Sequence, residues 1–119
     1  MRERAGPMLA LMIVALLTGA CKGGTEAPSQ SVDVGKRFYE NRCASCHGDD
    51  GAGDTPMAGG SATANLTDGQ WTYGGNPRDI ERTISEGVPG TTMRGFKSTM
   101  TPDEIGQLAA YVKGLEVRK

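Results

Sequence analysis

Bulky apolar residues are scarce in this 119-residue chain. From Ser31 to Lys119, only 13 of 89 residues are Val, Ile, Leu or Phe. That is about 15%, below the roughly 20% at which a chain begins to look unable to build its own core. Disorder through charge repulsion does not fit either, because 13 basic and 14 acidic residues nearly cancel. The missing apolar mass must therefore come from a bound group. With Cys21 set aside in the N-terminal segment, the single histidine and the two remaining cysteines are one ligand short of the usual four-ligand structural zinc site. No Gly-Lys-Ser/Thr occurs in the glycine-rich stretches, which excludes a phosphate cradle, and no basic patch points to nucleic acid. No segment has a convincing strand pattern, so the expected fold is all-α with long loops. Length allows one domain.

What is present is one dense pattern, Cys43-Ala44-Ser45-Cys46-His47. Cys-x-x-Cys-His is the attachment signature of a c-type haem. Each thiol can add across a haem vinyl group to form a thioether, and the adjacent imidazole is carried under the iron as a proximal ligand. A thioredoxin-like redox pair is the rival, but no βαβ pattern supports it. Haem is also a large, flat hydrophobe, which answers the shortage of core residues. The haem-free domain is expected to be largely unfolded.

Such a group is attached outside the cytoplasm, and the N-terminus agrees. Arg2, Glu3 and Arg4 precede a 14-residue apolar run from Pro7 to Ala20, short of the about 20 residues of a bilayer span but suited to a secretory signal. The run ends Leu17-Thr18-Gly19-Ala20-Cys21, which resembles a bacterial lipobox with Cys21 as the lipidated thiol. Thr18 stands where Leu is usual. Residues 1–20 are thus expected to be a lipoprotein-type signal peptide and 21–31 a lipidated cysteine with a flexible linker. Residues 32–119 would be the folded domain. An ordinary cleaved signal and an uncleaved short anchor are the alternatives. Residues Lys22 to about Gln30 are Gly-, Thr-, Pro- and Ser-rich, a tether of coil reaching about 15–20 Å.

Three helices are legible. The first is expected from about Asp33 to Arg42, with Gly35 costing about 1 kcal/mol relative to Ala unless another backbone comes close. The second starts at Asn76 as N-cap, with Pro77 after it, and ends at Gly87. Ile80 and Ile84 form its apolar stripe. The last has Thr101, Pro102 and Glu104 as cap, first-turn proline and capping-box acid. Ile105, Leu108, Val112 and Leu115 recur at 3-4-3 spacing along its inner face, with Tyr111 beside them. Trp71 and Tyr73 read as core filler, and a haem propionate is a candidate acceptor for the Trp71 N–H.

His47 being already used, the sixth iron ligand must be Met57, Met93, Met100, a lysine or water. Met57 is only ten residues past His47, and Met100 abuts the cap of the last helix as core filler. Met93 lies in the loop Val88-Pro89-Gly90-Thr91-Thr92-Met93-Arg94-Gly95-Phe96, bracketed by Gly90 and Gly95, and is the candidate.

From about Ser31 onward the chain resembles a small bacterial class I c-type cytochrome. The matching elements are Gly35 and Tyr39 before Cys-Ala-Ser-Cys-His-Gly, then Val-Pro-Gly-Thr-Thr-Met93, then Leu108-Ala-Ala-Tyr111. The resemblance implies a cytochrome c fold of three or more helices and long loops around one covalent haem c. It implies that Gly35 and Tyr39 pack against Leu108 and Tyr111, where the first and last helices cross. It also implies that the Pro56 carbonyl accepts the Nδ1–H of His47. Arg94 departs from the family, which often has proline there, and could orient a propionate or face a partner.

The function expected is one-electron transfer, not enzymic catalysis, between a redox-protein donor and acceptor. The domain would work at the periplasmic membrane surface, held by a lipid anchor. No nucleic acid and no small-molecule substrate are expected, since a His/Met site has no open position. Alternatives are a haem subunit of a larger respiratory complex and a haem enzyme or gas sensor with a displaceable Met.

Overall fold

The computed structural model describes residues 28–117, with side chains from Asp33 to Val117. The expected signal peptide, Cys21 and most of the linker lie outside the described residues. Four α-helices occur in order: α1 Pro28–Arg42, α2 Ala44–His47, α3 Pro77–Glu86 and α4 Pro102–Gly114. Single 3-10 turns lie at Pro56–Ala58, Ala62–Ala64 and Leu115–Val117. Among the described residues there is no strand, only an isolated bridge between Gly87 and Arg94. The fold is all-α, as expected.

Helix α1 begins at Pro28, earlier than the expected Asp33 and inside the stretch read as tether. Proline suits a first helical turn, where its missing N–H is not needed and its φ is already helical. No glycine then interrupts the chain before Gly35.

The frame is the packing of α1 on α4. A β-carbon on Gly35 would collide with the backbone carbonyl of Gln107 and lie 3.0 Å from Tyr111 Cβ. Glycine there is a requirement of contact between two backbones. One turn on, Tyr39 is fully buried, as is Leu108 facing it from α4. The Tyr39 and Tyr111 rings sit 5.3 Å apart, tilted at 48°, within the range of favourable aromatic pairs. Gly35 and Tyr39 of α1 thus meet Tyr111 of α4, and Leu108 is buried in the same core as Tyr39.

The caps of α3 and α4 are as read. Asn76 Oδ1 accepts from the Asp79 N–H at 3.0 Å. Thr101 Oγ1 accepts from the Glu104 N–H at 3.3 Å, while Glu104 Oε2 accepts from the Thr101 N–H at 2.8 Å. Ile80 and Ile84 of α3 join Ile105, Leu108, Val112 and Leu115 in one core with Phe96 and Met100. Tyr73, expected as core filler, is 52% exposed. The segment Leu66–Gly75 runs along the rim of a cavity, so Tyr73 faces its mouth instead of the core. The small core does not close on itself. Its open side is that cavity.

Candidate haem site

Helix α2 is a single turn that sets out the attachment motif. The Cys43 carbonyl accepts from the Cys46 N–H at 3.1 Å and the His47 N–H at 2.9 Å. Residues three and four apart on a helix share a face, and Cys43, Cys46 and His47 all line the cavity. Burial pushes the Cys43 thiol up to about 11, with repulsion from Cys46 adding to it. Cys43 therefore stays a neutral thiol at pH 7. That is unfavourable for a redox nucleophile.

His47 Nδ1 lies 2.7 Å from the carbonyl oxygen of Ala64. A carbonyl only accepts, so Nδ1 holds the proton and Nε2 keeps the free lone pair. Around this bond the loop is tightly built. Gly53 N–H donates to the His47 carbonyl at 2.7 Å. With φ at +71°, the Gly53 backbone lies so close to Ala64 that a β-carbon would sit 2.8 Å from the same carbonyl oxygen. Thr55 Oγ1 donates to the Cys46 carbonyl at 2.7 Å.

Pro56 does not fill the expected role. It opens the 3-10 turn Pro56–Ala58, and its own carbonyl accepts from the Gly59 N–H at 3.3 Å. The turn packs against α2, but the chain must run on to Ala64 before a carbonyl comes into line with Nδ1. Ala64 and Gly53 were missed. A backbone acceptor leaves no signature in sequence, and Gly53 is one glycine among many.

The loop after α3 supplies Met93, half-buried and lining the same cavity. Its loop is pinned by Met93 N–H to Thr91 Oγ1 at 3.1 Å, and by Val88 N–H to the Met93 carbonyl at 2.9 Å. Gly87 and Gly95 let the loop pack closely on the end of α3, since a β-carbon on either would strike backbone of the facing segment, while Gly90 has open space around it. Of the other ligand candidates, Met100 is buried in the core and does not reach the cavity. Met57 lines it but is 68% exposed and sits on the turn packed against α2, on the His47 side. No lysine is among the lining residues.

Trp71 lines the cavity but has a different partner from the expected propionate. Its Nε1–H donates to Glu116 Oε1 at 2.6 Å. Arg94 is exposed at the rim, with its guanidinium 5.6 Å from the centre of the Phe96 ring.

The cavity fits the group the motif implies. Its free volume of about 270 Å³ far exceeds the 10–15 Å³ or so that a water needs. Leu66, Ile80, Ile84, Val88 and Phe96 make it apolar, and besides His47 its titratable side chains include Arg42 and Arg94 but no acid. That suits a flat hydrophobe carrying carboxylates at one edge. An all-α frame holding a Cys-x-x-Cys-His turn, an oriented imidazole and a methionine lining the same cavity defines a c-type cytochrome domain.

Comparison with known proteins gives the family. Residues 30–112 match the family of cytochrome c oxidase, cbb3-type, subunit III, and the chain belongs to it. The cbb3-type cytochrome c oxidase subunit FixP of Sinorhizobium medicae is 36% identical over 93 residues, 71% of this chain and 30% of that protein. Subunit CcoP of Rubrivivax gelatinosus is 34% identical over 86 residues, 72% of this chain and 26% of that protein. The chain thus spans about a third or less of the length of these relatives. Among solved structures, the KustC0563 c-type cytochrome aligns with a TM-score of 0.58 at 31% identity, covering 69% of this chain and 96% of that one. The Kustc0457/Kustc0458 reducing HAO-like complex of Kuenenia stuttgartiensis aligns with a TM-score of 0.67 at 30% identity, covering 72% of this chain and 44% of that one. Haem c is the cofactor that membership implies.

Proposed function

We propose that this domain transfers single electrons through one haem c, as the haem-bearing part of a larger respiratory complex. When bound, haem c supplies an iron that takes up and returns one electron. Cys43 and Cys46 would hold it by thioethers, each S–H adding across a vinyl group. His47 would bind the iron through Nε2, with the Nδ1–H fixed on Ala64. Met93 would bind it through its thioether sulfur. Leu66, Ile80, Ile84, Val88 and Phe96 exclude water, which together with a thioether ligand favours a raised reduction potential. Arg42 and Arg94 stand at the rim without a carboxylate in the lining, available to anionic groups there. Were His47 and Met93 both to hold the iron, none of its positions would be left for a substrate, which supports carriage of electrons as the role.

The observation that carries this reading is the His47–Ala64 bond on one wall with Met93 lining the same cavity. Family membership and the FixP and CcoP relatives support the complex-subunit reading over the free shuttle that the chain by itself suggested. One observation favours the shuttle as a second reading. The KustC0563 c-type cytochrome is covered over 96% of its chain, so a c-type cytochrome chain of about this domain's length is known. On either reading the domain lies on the periplasmic side, and Cys21 would carry a lipid. The test is purification after gentle solubilisation of membranes, with haem staining and mass analysis. Recovery with oxidase subunits supports the complex. Recovery alone, carrying a lipid mass on Cys21, supports the shuttle. Rapid carbon monoxide binding by the untreated ferrous protein would overturn both.

A further inference from the structure

The cavity wall from Leu66 to Gly75 contains neither helix nor strand. Several of its backbone hydrogen bonds are local: Thr67 N–H to Asn65 Oδ1, Gln70 N–H to Asp68 Oδ1, and Gly74 N–H to the Trp71 carbonyl. A tie to the helical frame runs through the Trp71 indole, 45 residues in sequence from its partner Glu116. The Glu116 carboxylate uses both oxygens. Oε1 accepts the indole N–H at 2.6 Å, and Oε2 pairs with Lys113 Nζ at 2.5 Å. Lys113 Nζ in turn stands 5.3 Å from the centre of the indole ring. Gly75 hems the ring in on the loop side, since a β-carbon there would lie 2.6 Å from Trp71 Cγ. The hydrogen bonds from Lys113 and from Trp71 hold the Glu116 carboxyl below its ordinary range, so it accepts as a carboxylate at neutral pH.

We propose that Glu116 is the positioning residue of the haem cavity's Trp71 wall. Its carboxylate holds the indole at the cavity edge, which limits solvent access to the cofactor and so sets its reduction potential. Glu116 acts through Trp71, and the inference rests on the cavity being a haem site.

Trp71 is the single tryptophan of the chain, so emission of the holoprotein reports its distance from the haem, which quenches it. In the wild type, emission should be weak. Glu116→Ala should raise it several-fold and lower the reduction potential, at unchanged haem content. Glu116→Gln keeps an acceptor oxygen, and should leave emission and potential near the wild type. If Glu116→Ala yields too little holoprotein, Trp71→Phe carries the test, because it removes the donor but keeps a ring. It should lower the potential, and adding Glu116→Gln to it should change nothing further. Wild-type emission and potential in Glu116→Ala, an alanine-like Glu116→Gln, or a further shift in the double variant would each overturn the assignment. Failure of the wild type to bind haem would instead overturn the haem reading, and shows directly as a missing Soret band.

Discussion

His47 Nδ1 and the Ala64 carbonyl oxygen, 17 residues apart in sequence, meet at 2.7 Å. The bond decides the chemistry of the histidine, because it assigns the proton to Nδ1 and leaves Nε2 for iron. Gly53 makes the meeting possible, for its positive φ and missing β-carbon let the loop pass against Ala64. Gly53→Ala must adopt a left-handed conformation, at about 1–2 kcal/mol, and also push the Ala64 carbonyl away. The expected result is holoprotein with reduced stability and an altered iron ligand field. Guanidinium unfolding followed at the Soret band, with the ferric spectrum, checks both. An unchanged spectrum would separate Gly53 from the histidine.

How much of this was legible in sequence depends on how local each signal is. The caps of α3 and α4 were readable because Asn76 acts on Asp79 and Thr101 on Glu104, three residues away. Gly35 signalled a close backbone contact through its local cost, but that the contact is with α4 came only from the resemblance of Gly35, Tyr39, Leu108 and Tyr111 to the family pattern. Ala64 was not, since any residue provides a carbonyl and only the path of the loop chooses which one. Trp71 was legible as needing a partner, but Glu116 as that partner was not, because the loop and the end of α4 come together only in three dimensions. Pro56 misled for a related reason. Its position suited the family pattern, yet its carbonyl is engaged within its own turn.

Met93 is the proposed iron ligand on the strength of its place in the cavity, which Met100 and the lysines do not reach. Met93→Ala should abolish the weak Met-to-ferric-iron absorption band, lower the reduction potential and open a position for carbon monoxide. Met57→Ala should do none of these. Retention of the band in Met93→Ala, or its loss in Met57→Ala, would transfer the role to Met57.

Gly35→Ala sets two effects against each other. Alanine is favoured over glycine in a helix by about 1 kcal/mol. Against that, the new methyl meets the Gln107 carbonyl and Tyr111 Cβ. A backbone carbonyl cannot rotate out of the way, and such overpacking costs typically about 1–3 kcal/mol. Net destabilisation is expected, read as a lower guanidinium midpoint for the holoprotein. Equal or higher stability would show that α1 can shift along α4 at little cost.

The Glu116 carboxyl is held below its ordinary range, first by the hydrogen bond from Lys113 and then by that from Trp71. A group whose folded value is depressed stabilises the fold above its unfolded value and loses that contribution as pH falls through the folded one. Stability of the holoprotein should therefore decline on acidification from about pH 5, just above the unfolded value of about 4.3. Glu116→Gln cannot titrate and should flatten that part of the profile. Identical slopes in the two proteins would assign the acid loss to other carboxylates.

The thinness of the core leads to the last expectation. Tyr39 and Leu108 are its fully buried large side chains. Leu66, Trp71, Val88 and Met93 line the cavity and are only half-buried by the chain itself. The haem would complete their burial, and fully burying one such side chain is worth about 1.5–3 kcal/mol. Even a part of that over four side chains is a large fraction of the whole stability of a small domain, about 5–15 kcal/mol. The Cys43→Ala/Cys46→Ala variant, produced without haem, should therefore lack a cooperative thermal transition and show weakened helical circular dichroism. Cooperative unfolding near the holoprotein's temperature would mean that the α1–α4 contact at Gly35, Tyr39, Leu108 and Tyr111 holds the domain together unaided.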